Sequence, residues 1–141
     1  MVIRRMRPED LEPLVAIWLE GNLDAHPFIP AEYWQAHLPM LREALPQASV
    51  WVAATDQGPL GFLGLQGDSI AGLFVAPAAR GRGIGAKLLD TAKALHPLLT
   101  LGVYRQNARA VRFYRRQGFA VVEEHPAPPG GIPEYRMVWQ R

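Results

Sequence analysis

The sequence predicts an α/β domain: a mixed, mostly antiparallel sheet of about seven strands with helices on both faces. Three observations carry that expectation. Residues 49–55 and 60–66 are strand-like runs around Asp56-Gln57-Gly58-Pro59, a turn-forming tetrapeptide, so they form an antiparallel hairpin. An apolar run over 68–75 leads through a loop of glycines and arginines into a helical pattern, then into a second apolar run over 98–103. Strand, helix and returning strand make one βαβ unit, whose strands lie parallel with a right-handed crossover. Finally, short strands and helical segments follow one another through all 141 residues with no repeat and no linker, so residues 1–141 form a single domain.

Taken in order, residues 2–6 form a short strand. Pro8 opens a helix, with Glu9 and Asp10 in a first turn that favours negative charge. Leu11, Leu14, Val15, Trp18 and Leu19 have the spacing of a buried helical face, and Gly21-Asn22 ends it. Residues 25–30 are a loop broken by Pro27 and Pro30. Trp34, Leu38, Leu41 and Leu45 resume helical spacing, but Pro39 inside the pattern kinks or splits the segment. Gly67 then turns the hairpin into the strand 68–75. Ile84, Leu88, Ala92 and Leu95 make the core face of the next helix, with Pro97 beyond its end. The near-continuous apolar run 98–103 has the pattern of a central strand covered on both faces. Asn107 is a good N-cap for a helix over 108–117, Gly118 suits the left-handed position after it, and Phe119 packs back on Tyr114. Residues 119–124 and 135–139 are the last strands, around a Pro- and Gly-rich loop at 126–133. The exposed C-terminal strand and Trp139 are compatible with either a monomer or a homodimer.

Composition narrows the function classes. Nearly half the residues are apolar, as in an ordinary globular core. Without cysteine, there is no disulfide, thiolate metal site or Cys nucleophile. No signal-peptide pattern and no apolar run of membrane-spanning length occurs, so the expectation is a cytoplasmic protein with no membrane partner. A net charge of +2 does not call for nucleic acid. The arginines nevertheless crowd the second half, at Arg80, Arg82, Arg105, Arg109, Arg112, Arg115 and Arg116. They form either a solvated helix face or a basic rim that assists anion capture.

The loop between the strand 68–75 and its helix reads Arg80-Gly81-Arg82-Gly83-Ile84-Gly85-Ala86. A helix start carries amides without partners and the positive end of a dipole, so such a loop binds phosphate. Arg80 and Arg82 add forked cations, and the glycines let the main chain approach the ligand. Three phosphate-loop patterns compete. The P-loop needs Lys followed by Ser or Thr, but Leu88 follows Lys87, which rejects it. Gly81, Gly83 and Ala86 fit the dinucleotide fingerprint, yet no ribose-binding acid follows: the next strand ends in Val103-Tyr104-Arg105-Gln106. The third pattern is Arg80-x-x-Gly83-x-Gly85 after Leu73-Phe74-Val75. It resembles the acetyl-coenzyme A loop of the GCN5-related N-acetyltransferase (GNAT) family. Asn107 opening a helix, Phe113-Tyr114 within it and Gly118-Phe119 at its end resemble that family's second half. The resemblance covers nearly the whole chain. His26-Pro27-Phe28-Ile29 with Tyr33-Trp34 is similar to a small single-domain bacterial branch of the family.

The resemblance implies a sheet whose two parallel central strands splay apart, with coenzyme A entering the gap from one side and an amine from the other. It implies that main-chain groups of Leu73, Phe74 and Val75 hold the pantetheine arm and face the thioester carbonyl. Arg80, Gly81, Arg82, Gly83, Ile84, Gly85 and Ala86 hold the diphosphate. Asn107, Phe113 and Tyr114 complete the donor site, with Tyr114 as the acid that protonates the thiolate and Asn107 near the thioester. Each has a plainer alternative, a buried tyrosine packed on Phe119 and a helix cap. Acetyl transfer to an amine needs proximity, a stabilised oxyanion and proton transfer. The general base is the weak point. Ile70-Ala71-Gly72, leading into Phe74, has no carboxylate. Asp68, Glu20, Asp24, His26 and Glu32 are candidates, as is a water relay. The acceptor pocket is expected from the segment 18–34 and the loop 126–135, with His26, Phe28, Tyr33 and Trp34 either lining it or plugging the sheet end. No metal site is expected. The expected activity is acetyl-CoA-dependent N-acetylation of a primary amine on a protein or a small molecule. A non-catalytic acyl-CoA-binding regulatory domain is the alternative from another class.

Overall fold

The computed structural model describes all residues, Met1–Arg141. Its seven-stranded sheet has the spatial order β1-β2-β3-β4-β5-β7-β6. The strands are β1 (Val2–Arg5), β2 (Ser49–Thr55), β3 (Gly58–Gln66), β4 (Ser69–Val75), β5 (Leu98–Tyr104), β6 (Ala120–Ala127) and β7 (Ile132–Gln140). The helices are α1 (Leu11–Ala25), α2 (Ala31–Ala36), α3 (Leu38–Ala44), α4 (Ile84–Leu95) and α5 (Ala108–Arg116). Every strand pairing is antiparallel except β4 with β5.

Helices cover both faces, as expected. α1 packs Leu14, Val15 and Ile17 against Val50, Val52 and Phe62 of the sheet. On the opposite face, Ile84, Leu88, Leu89 and Ala92 of α4 and Val111 and Tyr114 of α5 meet Leu63, Leu99, Leu101, Val103 and Met137. Leu88, Leu89 and Leu99 are fully buried. Removing any one to Ala would cost about 2–5 kcal/mol. No helix is long and apolar enough to cross a membrane.

Local chemistry fixes the ends. Pro39 falls in the first turn of α3, where its missing N–H costs nothing, so the second helical segment splits into α2 and α3. α5 starts with Asn107 Oδ1 accepting from the Ala110 amide at 3.3 Å. It ends with Phe119 N–H donating to Tyr114 O and Gly118 N–H to Arg115 O, both at 3.0 Å, with Gly118 at φ 93°. These are the two bonds of a Schellman ending, and Phe119 packs on Tyr114 at 5.6 Å.

Several expectations need correction. Pro8–Asp10 is a 3-10 turn rather than the start of α1. Asp10 is not a solvated first-turn charge either. It is buried, makes a forked pair with Arg4 at 2.7 and 3.1 Å, and accepts from the Arg7 amide. α1 runs on through Gly21-Asn22, because Gly21 lies under the Phe74 ring: a Cβ there would stand 2.7 Å from Phe74 Cδ1. Leu95 is exposed, and Leu89 takes the core position instead. The strand β5 is not doubly covered. Leu99, Leu101 and Val103 are buried, whereas Gly102 on the other face is exposed. Residues 126–127 and 132–133 belong to a hairpin that pairs Pro126 with Pro133 and Ala127 with Ile132, so the loop shrinks to four residues. The C-terminal strand β7 lies between β5 and β6 and is no edge. Trp139 packs inside the domain, 3.2 Å from a Cβ placed on Gly118 and under Lys93 Nζ at 5.2 Å.

Candidate active site

The strands β4 and β5 pair only at Ser69 with Thr100 and Ile70 with Leu101. Beyond these two positions they part. Leu73, Phe74 and Val75 keep β3 on one side, with Leu63, Phe62 and Gly61 opposite, and have no strand on the other. Three features force the parting. Phe74 fills the α1 face, stacked on Phe62 at 5.6 Å and enclosed by Gly21 and Gly72. Leu73 and Val75 pack into the α4 face. Finally, β5 follows β7 in full register from Leu98 to Tyr104 and is carried away with it.

The turn after β4 leads straight to the mouth of that gap. Pro77–Ala79 form a 3-10 turn, Gly81 and Gly83 take φ of 80° and 76°, and α4 begins at Ile84. The Arg80 amide is bonded to Pro77 O at 3.4 Å, and the next amide with a backbone acceptor is that of Lys87, bonded to Gly83 O at 3.1 Å. The amides of Gly81, Arg82, Gly83, Ile84, Gly85 and Ala86 have none. This cradle fits a diphosphate, since its donors are already arranged and the helix dipole adds positive potential. Ile84 is 3% exposed, so only its amide can serve a ligand. A Cβ on Gly85 would stand 3.4 Å from Phe113 Cζ, so glycine lets α4 sit close to α5. Arg82 donates to Ala78 O at 3.2 Å. The Arg80 guanidinium is paired with Asp24 at 2.6 Å and holds that carboxyl below its usual range. An open cleft of about 670 Å³ lies between these residues, lined by Glu20, Leu23, Ala76, Pro77 and Ala78.

α5 brings Asn107, Phe113 and Tyr114 to the same region. Tyr114 is 9% exposed, and burial pushes its phenol well above the ordinary value. Like an ordinary phenol it is protonated at neutral pH, and burial only strengthens its hold on the proton. Asn107 does two jobs. Its oxygen caps α5, and its Nδ2 lies 3.3 Å from His26 Nε2. The imidazole nitrogen facing that amide must accept, which puts the ring hydrogen on Nδ1. Nδ1 is buried and has no partner. Burial lowers the His26 pKa from 6.5 to about 4. His26 is thus a neutral, enclosed ring of weakened basicity, whose Nε2 is already taken up by Asn107.

The predicted aromatic cluster exists. His26 stacks on Trp34 at 5.3 Å and meets Phe28 edge-on at 5.6 Å, and Tyr33 meets Trp34 at 4.9 Å. Two more aromatics join it, Trp18 from within the expected segment 18–34 and Tyr104 from outside the expected stretches. Tyr104, at the end of β5, contacts His26 at 5.0 Å and Phe28 at 5.8 Å and donates to Pro128 O at 2.7 Å. Trp18 touches Trp34 at 5.7 Å. Nothing in the strand pattern of β5 marked Tyr104, because its partners His26 and Phe28 come from the distant loop between α1 and α2. The missed carboxylate is Glu134, directly opposite Tyr104 on β7 and 2.8 Å from His125 Nε2. It falls in the loop 126–135 expected to help build the acceptor pocket, although no carboxylate was singled out there. No group of three or more His, Asp or Glu residues is placed to hold a metal ion.

Comparison with known proteins agrees with this geometry. Residues 46–121 match the family model described as an acetyltransferase (GNAT) domain. The chain is 38% identical over 140 residues to the peptidyl-lysine N-acetyltransferase YiaC of Escherichia coli K12, covering 98% of this chain and 96% of that one. It is 42% identical over 120 residues to the peptidyl-lysine N-acetyltransferase YjaB of Salmonella typhimurium LT2, covering 84% and 83%. The solution structure of apo YjaB from Escherichia coli superposes with a TM-score of 0.87 at 38% identity, over 99% of this chain and 98% of the other.

Proposed function

The chain belongs to the GNAT family of acetyl-CoA-dependent N-acetyltransferases, and from that premise we propose that its acceptor is the side-chain amine of lysine in proteins. The observation that carries this reading is the parting of β4 from β5 after two residue pairs, beside a run of six unpartnered amides. A strand-like arm lies in such a gap and satisfies the free groups of Leu73, Phe74 and Val75, while a diphosphate sits on the amides of residues 81–86. The two peptidyl-lysine acetyltransferases that match most of the chain support lysine as the acceptor. So does the cluster of His26, Phe28, Tyr33, Trp34 and Tyr104, a half-enclosed aromatic wall suited to an alkyl stem.

Acetyl-CoA supplies an activated thioester, and the protein does the rest. Main-chain groups of β4 hold the arm and give the carbonyl oxygen a preorganised donor. Asn107 is fixed by its cap and by His26, so its position near the thioester costs little ordering on binding. Tyr114 is protonated at neutral pH and gives its proton to the departing sulfur. The test is acetyl-CoA with lysyl peptides and a panel of small amines, followed by thiol release and mass spectrometry. Acetylation of lysine Nζ supports the reading. Transfer confined to small amines, or to peptide N-termini, overturns it.

A further inference from the structure

The strand leading into Phe74 offers no carboxylate to an incoming ammonium ion. The tertiary structure brings one from elsewhere. Gly102 is the first residue of β5 beyond its last pairing with β4, so it stands where the gap opens. Having no side chain, it leaves its space on the open face to a neighbour, and the Glu134 carboxylate fills it. A Cβ added to Gly102 would lie 2.9 Å from Glu134 Oε1 and 3.2 Å from Oε2. Glu134 is directly opposite Tyr104 on β5 and opposite His125 on β6. His125 Nε2 holds Oε1 at 2.8 Å. The Glu134 side chain is 24% exposed, reachable from solvent yet largely enclosed. Burial, then the charges of Tyr33 and Glu134, push the Tyr104 phenol up to about 12. Carboxylate and aromatic wall therefore share one side of the gap.

We infer that Glu134 receives the acceptor's ammonium ion at Gly102 and takes its proton, with His125 as the residue that positions it. The inference rests on the lysine reading above. The ammonium gives one proton to the Glu134 carboxylate. The freed lone pair then attacks the thioester carbonyl, the C–N bond forms and the C–S bond breaks. Tyr114 protonates the sulfur and is restored by the proton that the new amide nitrogen sheds. Glu134 returns its proton to water, so one proton is released per turnover. A carboxylate suits this place because it binds the charged amine before the reaction and stays next to it as the charge is lost.

The test compares wild-type protein with Glu134→Gln, which keeps the shape and removes the charge. The expected result is a loss of about 100-fold or more in kcat/KM for a lysyl peptide, with unchanged acetyl-CoA affinity by titration. Gly102→Ala is a second route, because the methyl group displaces the carboxylate without altering any charge. It should raise the peptide KM more than it lowers kcat. His125→Ala should also raise the peptide KM, and His125→Gln, which can still donate to Oε1, should restore much of it. Wild-type activity with Glu134→Gln indistinguishable from it overturns this inference alone. A wild-type protein that acetylates no lysyl peptide overturns the lysine reading and this inference together.

Discussion

The donor side and the acceptor side of the gap are made of different materials. On the donor side the working atoms are main-chain amides and carbonyls, from β4 and the turn into α4, and the side chains nearby mostly face the core. On the proposed acceptor side they are side chains gathered from four separate stretches: His26 and Phe28, Tyr33 and Trp34, Tyr104, and Glu134. A main-chain site is robust to most substitutions and fragile only at its glycines. A side-chain site depends on each member and on protonation. The two meet at α5, where Asn107 bonds to His26 and where the proposed acid Tyr114 lies.

Substitutions can break that contrast at its joint or sharpen it on either side. The largest effect is expected at the joint. Tyr114→Phe should lower kcat by roughly ten- to a thousand-fold with little change in acetyl-CoA affinity. An unaltered kcat would remove the phenol from the reaction.

Acidification acts next, and on the acceptor side. The His26 pKa is lowered to about 4 by burial, so the unfolded chain takes up this proton below about 6.5 while the folded chain resists until about 4. Stability is therefore complete above about 6.5, falls as pH drops from about 6.5 to about 4, and levels off below, a loss of up to roughly 3 kcal/mol. Denaturant unfolding at several pH values measures it, and His26→Phe should flatten that window. The Asp10 carboxyl has its pKa lowered chiefly by Arg4, so its contribution is lost only at still lower pH. A His26→Phe curve as steep as that of the wild type would place the titration elsewhere.

On the donor side, Gly83→Ala forces a side chain into φ 76° and should weaken acetyl-CoA binding by about tenfold, the effect of 1–2 kcal/mol of backbone strain. The peptide KM should hold. The smallest effect belongs to the exposed Asp24–Arg80 pair. Asp24→Asn frees Arg80 for phosphate and should tighten acetyl-CoA binding by no more than a few-fold, less at high salt. Weaker binding would mean that the pair holds Arg80 where the ligand needs it.

The donor side was legible in the chain because its signals are local. The glycines of 81–85 mark a loop before a helix start, Asn107 marks a cap, and Gly118-Phe119 marks a helix end. Each is decided within a few residues, and each appears where it was expected. The acceptor side was legible only in part. His26, Phe28, Tyr33 and Trp34 lie close in sequence and were expected to cluster, but Tyr104 and Glu134 join them from β5 and β7. Two assignments failed for a common reason. The end of α1 at Gly21-Asn22 and the loop at 126–133 follow ordinary glycine and proline rules. Packing overrode both, the first through Phe74 against Gly21 and the second through the pairing of β6 with β7.

By itself the sequence determined the element types, the βαβ unit, the phosphate turn and the caps, since these depend on backbone preferences and short-range spacing. Long-range packing set where β4 and β5 part, inserted β7 between β5 and β6, and laid Glu134 over Gly102. It also decided that His26 is neutral. Those outcomes depend on which surfaces exclude water from one another, and that is a property of segments distant in the chain brought into contact.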